Sequence, residues 1–317
     1  MKRTHIAVLV AGAVLLGAPA FGQVDLSGMW AAREHQDWEE RLPGPDPVDY
    51  VGLPLNDAGR EKALLFDYSV MSQPEHQCGY YTPFYNALGP QGLKIWSKND
   101  PVRGNRVVAW KLSGFIDIDV TTIWMDGRPH PSKNSFYPYS GVTTGTWEGD
   151  VLTTYTTHIK AGYVRRNGSP SSDQATMIQH IMRHGDLLTI MSRIEDPAFL
   201  SEPYVVSRTW VLDPRANIAA TSAACEPIAE VPRFDVQGVV PHYLPGKNPF
   251  VNEVSQMYHL PLEAVMGGAE TMYPEYRKKL KDKYVRPEKC VRYCGQDATL
   301  GLITDGSGKP ERRESGR

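Results

Sequence analysis

An excess of charge of one sign is the first thing this sequence lacks. Its 34 lysines and arginines face 36 aspartates and glutamates, for a formal net charge of −2. Nucleic-acid binding draws on a clustered basic excess, so the balance gives that class no support. Long apolar runs are missing after residue 22. A membrane helix needs roughly 20 apolar residues, so no later segment is expected to span a bilayer. No G-x-S-x-G, H-E-x-x-H or P-loop occurs, which leaves the common hydrolase, zinc-protease and nucleotide signatures without a match. No cofactor is expected. Cysteine is scarce, with four residues: Cys78, Cys225, Cys290 and Cys294.

What is present at the start reads as an export signal. Lys2 and Arg3 are followed by an apolar run over residues 6–16, then by the small residues Ala18, Ala20 and Gly22. That three-part pattern predicts cleavage after Gly22, with Ala20 as the alternative, and a periplasmic or secreted protein. An even number of cysteines outside the cytoplasm predicts disulfides, and four allow three pairings. Cys290 and Cys294 are close enough for a local bridge, which would leave Cys78 with Cys225. Either of these two paired with the C-terminal cysteines is the alternative. A zinc site at Cys290 and Cys294 lacks partner ligands at finger spacing.

The remaining chain reads as mostly β. It has 16 tyrosines, 7 tryptophans, 28 glycines and 25 prolines, a mixture suited to strands joined by many turns. Strands are expected over residues 24–30, 106–112, 115–125, 142–147, 151–159, 176–183, 187–194 and 204–212. In the stretch 115–125, Ile116, Ile118 and Val120 alternate with Asp117, Asp119 and Thr121, the period of a half-buried strand. Glu148-Gly149-Asp150 and His184-Gly185-Asp186 are both followed by an apolar pair and threonine. Glycine supplies the positive φ of tight hairpins, so 142–159 and 176–194 are expected to be successive hairpins. Such a series needs closure or a second sheet to avoid open edges. The expected fold is an antiparallel barrel of lipocalin-like type, or a curved sheet of hairpins. Residues 56–66 form a helix candidate capped by Asn56. Residues 262–266 and 274–284 are expected to be short C-terminal helices. The organisation expected is a leader over 1–22, a β domain over 23–232, a docking extension over 233–303 and a disordered tail over 304–317.

Two resemblances rest on motifs. The opening D-L-S-G-M-W, with Gly28 and Trp30, resembles the G-x-W start of lipocalin-like (calycin) barrels, which implies a close turn at the glycine and a tryptophan plugging one barrel end. Asp126-Gly127-Arg128-Pro129-His130, then Gly145-Thr146-Trp147-Glu148-Gly149-Asp150, Ile194-Glu195-Asp196-Pro197 and Cys225-Glu226 are similar to motifs of a family of exported bacterial proteins. The likeness runs from about residue 28 to 226 and implies a fold and a compartment but no chemistry. The chain departs from that family over residues 134–143. A G-H-S segment is usual there, and this chain has S-F-Y-P-Y-S-G-V-T-T instead.

The residues that could carry chemistry cluster after the expected long strand. Asp126, His130 and His158 are the candidate acid–base groups, since histidine exchanges protons near neutral pH. Arg128 is the candidate anion anchor, with Asp126 or Glu148 as its charge partner. Tyr137 and Tyr139 sit in an aromatic loop, and Trp124 and Trp147 flank the segment as possible ligand contacts or core packing. His158 and His180, on neighbouring strands, could bind a metal with Glu195, but their spacing matches no ligand motif, so no metal is expected. Arg193 and Glu195 share a strand face and are expected to form a cross-strand charge pair. Two functions follow as expectations. One is a barrel that binds a small, partly apolar molecule. The other is a metal-free enzyme of isomerase or lyase type. On either, His130→Ala should alter function and leave stability near normal.

Overall fold

The computed structural model describes residues 24–33, 48–50, 52–66, 82–88, 92–104, 106–114, 120–165, 167–216 and 243–281. The expected leader, all four cysteines, the alternating residues 115–119 and the tail lie outside the described residues. Eleven strands and a few short helices follow in chain order: β1 Gly28–Ala32, α1 Asp57–Leu64, α2 Pro83–Ala87, β2 Leu93–Asn99, β3 Val107–Ser113, β4 Thr121–Trp124, β5 Val142–Glu148, β6 Val151–Thr157, β7 Gly162–Tyr163, β8 Pro170–Ser171, β9 Thr176–His184, β10 Leu187–Glu195 and β11 Tyr204–Leu212. Then come α3 Phe250–Tyr258, α4 Leu262–Val265, a 3₁₀ turn Ala269–Met272 and α5 Pro274–Lys281. No helix among the described residues is long and apolar enough to cross a membrane.

Nine strands close a barrel in the order β1-β11-β10-β9-β6-β5-β4-β3-β2. Both expected hairpins form. Glu148 pairs with Val151 and His184 with Leu187, so Gly-Asp makes each connection. Gly149 and Gly185 have φ of 64° and 60°, at the first loop position, where a type II′ turn places glycine. The barrel departs from the expected antiparallel pattern at one seam: β4 and β5 run parallel, and only Ile123↔Thr143 and Trp124↔Thr144 join them. A parallel pair cannot be closed by a tight turn, so residues 125–141 form a crossover connection. The apolar phase read from Ile116, Ile118 and Val120 would turn Thr122 inward. Instead Ile123 is buried in the core and Thr122 faces out, bonded to Lys111.

The two barrel ends have separate apolar layers. Trp30, Trp110 and Trp210 pack with Leu152, Ile181 and Leu188 at one end. The other end is plugged by α2, whose Phe84 and Tyr85 join Leu88, Met177, Ile194 and Val206. Between the layers lies a belt of buried polar side chains. Thr143 and Thr156 share a hydroxyl bond of 2.9 Å, Gln179 Nε2 donates to Ser192 Oγ at 2.9 Å, and Arg208 Nε donates to Leu88 O at 3.0 Å. Thr154, 1% exposed, belongs to the same belt, and its Oγ1 has no partner.

The motif glycines have packing reasons. A Cβ at Gly28 would come within 2.5 Å of Leu212 Cδ1, and one at Gly145 within 2.7 Å of Ile123 Cγ2. The helix α1 begins as expected: Asn56 accepts from Gly59 N at 2.9 Å, and its Nδ2 donates to Ala198 O at 3.0 Å. The C-terminal helices pack on α1 through Val254, Val265, Leu64 and Phe250.

Candidate functional site

The crossover 125–141 delivers most of the residues singled out in the sequence, and the structure sorts them into separate groups. The first is a turn. Arg128 Nε and Nη2 both donate to the Asp126 carboxylate, with Nε–Oδ1 at 2.9 Å and Nη2–Oδ2 at 2.5 Å. The guanidinium lies 3.6 Å over the Trp124 ring, and Lys98 Nζ is 5.5 Å from the same ring. The Arg128 hydrogen bond holds the Asp126 carboxyl below its ordinary range, and Asp126 in turn raises Arg128. Both groups are largely in solvent, so this is a locked surface turn.

The second group joins both candidate histidines. His130 Nε2 is 2.9 Å from Thr144 Oγ1, and its Nδ1 is 2.7 Å from Thr157 Oγ1. His158 Nδ1 is 2.8 Å from the same Thr157 hydroxyl, and its Nε2 is 2.9 Å from Ser132 O. A carbonyl can only accept, so His158 Nε2 carries a proton. With both rings neutral the rest is then determined. Thr157 donates to His158 Nδ1, His130 Nδ1 donates to Thr157, and Thr144 donates to His130 Nε2. His158 reaches Ser132 because this residue, directly after β6, turns into a left-handed conformation, φ 55°. Tyr155 and Tyr137 flank the array, with ring centroids 5.0 Å from His130 and 4.8 Å from His158. Two strands, β5 and β6, are thus stapled to the crossover that must pass outside them.

Burial, and then the nearby His158, push the pKa of His130 below its ordinary 6.5. The folded state therefore binds fewer protons here than the unfolded chain does. The contribution of His130 to stability is intact above about pH 6.5, the ordinary histidine value. It falls away as pH drops through the folded pKa. Urea midpoints of the natural chain should decline as the pH falls below 6.5. His130→Gln should flatten that decline, and an unchanged slope would remove His130 as its source. His130→Ala itself should cost about 2 kcal/mol, because it strips two hydroxyls of a partly buried partner. The staple thus replaces the near-neutral effect on stability that the sequence led us to expect.

The remaining residues fall elsewhere. Tyr139 accepts from Lys160 Nζ at 3.2 Å, with the ammonium 4.4 Å over its ring. Trp147 turns inward with Thr143 and Gly145 and packs on the tryptophan-rich layer. His180 bonds Thr153 at 3.0 Å on the outer wall, away from His158. No group of three His, Cys, Asp or Glu placed to hold a metal occurs among the described residues. Arg193 and Glu195 pair along one strand, not across strands. Asp196 is 4% exposed and accepts from Ser172 N at 2.7 Å, Ser172 Oγ at 2.6 Å and Ala198 N at 3.1 Å, which makes the E-D-P motif a structural clamp.

Sequence reasoning passed over a site inside the barrel. A cavity of about 30 Å³ lies between α2 and the wall, lined by Asn86, Leu93, Leu112, Met177, Gln179 and Ile190, with Ser113 and Thr121. The signal for it was weak: single polar residues, Gln179 and Ser192, at inward positions of otherwise apolar strands. Comparison of the chain with family models, curated proteins and solved structures found no match.

Proposed function

We propose that this is an exported binding protein whose barrel takes one small, partly apolar molecule. The observation that carries the reading is the lumen cavity, apolar on Leu93, Leu112, Met177 and Ile190 and polar at Gln179 and Asn86. Binding sites combine an apolar lining with a few polar groups that fix orientation. The neighbouring belt adds the unpartnered Thr154 hydroxyl. Size narrows the ligand. An apolar cavity of about 150 Å³ takes benzene. One of about 30 Å³ has room only for a very small group, such as the narrow end of a chain. The acid–base reading is less well supported, since Asp126 is committed to Arg128 and both ring nitrogens of His130 face threonine hydroxyls.

Mass spectrometry of small molecules retained by protein purified from its native host tests this. The natural chain should retain a defined compound. Ile190→Trp, which fills the lumen, and Gln179→Leu, which removes the orienting amide, should each lose most of it while still unfolding cooperatively. Equal retention in both variants would sink the reading.

A further inference from the structure

The outer wall of β2, β3 and β4 carries more lysine than the outer face of the other barrel strands. Leu93, Ile95, Trp110 and Ile123 point into the core, so the alternate residues face out. On β2 these are Lys94, Trp96 and Lys98. The register sets Trp96 beside Lys111 and Lys111 beside Thr122, and it sets Lys98 beside Ala109 and Ala109 beside Trp124. The pieces touch. Lys94 Nζ stands 5.5 Å from the Trp96 ring, Lys111 Nζ donates to Thr122 Oγ1 at 2.6 Å, and Lys98 Nζ and the Arg128 guanidinium both lie over Trp124. The Arg128 guanidinium stands over Trp124, and Trp96 lies between lysines on its own strand. Among the described residues of this group the acid is Asp126, which Arg128 engages. In a chain with a net charge of −2, such a concentration of cations on one wall is a local potential that attracts anions.

We propose that this wall binds an acidic polysaccharide, with sugar rings against Trp96 and carboxylates on Lys94, Lys98 and Lys111, and Arg128 at the edge. The cations are spread out: Lys94 and Lys98 lie four residues apart on one strand, about 13 Å, with Trp96 between them, and Lys111 stands one strand over from Trp96, about 4.8 Å away. That spacing suits a polymer that sets a sugar ring on Trp96 between carboxylate contacts. Nucleic-acid binding rests on a strong basic excess, which the whole chain does not have. The site stands on the outside of the barrel and is independent of the lumen.

Affinity electrophoresis in gels containing polygalacturonate or hyaluronan tests the proposal. Fully methyl-esterified polygalacturonate serves as the uncharged control and oligo-dT as the nucleic-acid arm. The protein should be retarded by an acidic polymer, less so at high salt, and not by the esterified one. Lys98→Glu with Lys111→Glu should weaken retardation at least tenfold, and Trp96→Ala by about tenfold. Both variants should unfold at the natural urea midpoint, and Ile190→Trp should bind the polymer normally. Retardation by neither acidic polymer, equal retardation by the esterified one, stronger retardation by oligo-dT, or variants that bind like the natural chain would each overturn it.

Discussion

Trp30→Ala is expected to lower the unfolding free energy by about 4 kcal/mol, near the upper end for loss of a buried aromatic. The ring is fully buried and packed in one layer with Trp110 and Trp210. Its Nε1 donates to Leu26 O at 3.0 Å, which ties the segment before β1 to the barrel end. Arg183 covers it, with its guanidinium 5.1 Å over the ring while it donates to Gly185 O at 2.9 Å and to Asp25 O. The strand that carries Trp30 closes the barrel, because β1 pairs with β11 on one side and β2 on the other, through short registers. Removing the ring leaves a void that rigid neighbouring strands cannot fill, so the cavity term adds to the lost transfer energy. Arg183→Ala, by contrast, should cost about 1 kcal/mol, since it loses hydrogen bonds at a partly exposed site. Urea unfolding of both variants decides this. A Trp30→Ala loss below about 1.5 kcal/mol would mean that the layer collapses onto the gap and that Trp30 does not hold the closure.

Local chemistry made much of this barrel legible, and long-range pairing did not. The Gly-Asp turns at 149–150 and 185–186 named their hairpins, because only glycine meets the φ requirement cheaply. Asn56 named the start of α1 through its side-chain cap. The parallel β4–β5 seam left no local mark, since it rests on Ile123↔Thr143 and Trp124↔Thr144 alone. The helix α3 has no counterpart among the expected elements, although Phe250, Val251, Val254 and Tyr258 have helical spacing. At the site, the Asp126–Arg128 turn was visible because its partners are two residues apart. That His130 and His158 meet was not, because the atom joining them is the hydroxyl of Thr157, one threonine among several in β6. Strand parity separated the flanking tryptophans, with Trp124 outward under Arg128 and Trp147 inward, and parity is settled by pairing partners that a lone strand does not reveal.

Asp196→Ala is expected to cost about 3 kcal/mol, whereas Asp126→Ala should cost less than about 1 kcal/mol. Both aspartates lie in the D-G-R-P-H and E-D-P segments, and their surroundings set them apart. Asp126 makes an ion pair in solvent, where its loss lets water take over the partner's hydrogen bonds. Asp196 is buried, and its carboxylate takes the Ser172 amide and hydroxyl together with the Ala198 amide. Alanine there would leave those buried donors facing no acceptor, and an unmade buried bond costs more than a made one contributes. The damage should spread along the chain. The backbone of this turn also holds α1: Phe199 O accepts from Asn56 N at 2.9 Å, and a Cβ at Gly59 would lie 2.5 Å from that carbonyl. Asp196→Asn keeps one acceptor oxygen and can donate to the Ser172 hydroxyl, so its loss should be about half that of alanine. Chemical denaturation orders the three variants, and hydrogen exchange locates the change. The Ser172 and Ala198 amides should lose protection in Asp196→Ala, and the α1 amides with them. Equal costs for Asp196→Ala and Asp126→Ala, or full protection at Ser172, would show that the E-D-P carboxylate is not the clamp that joins α1 to the barrel.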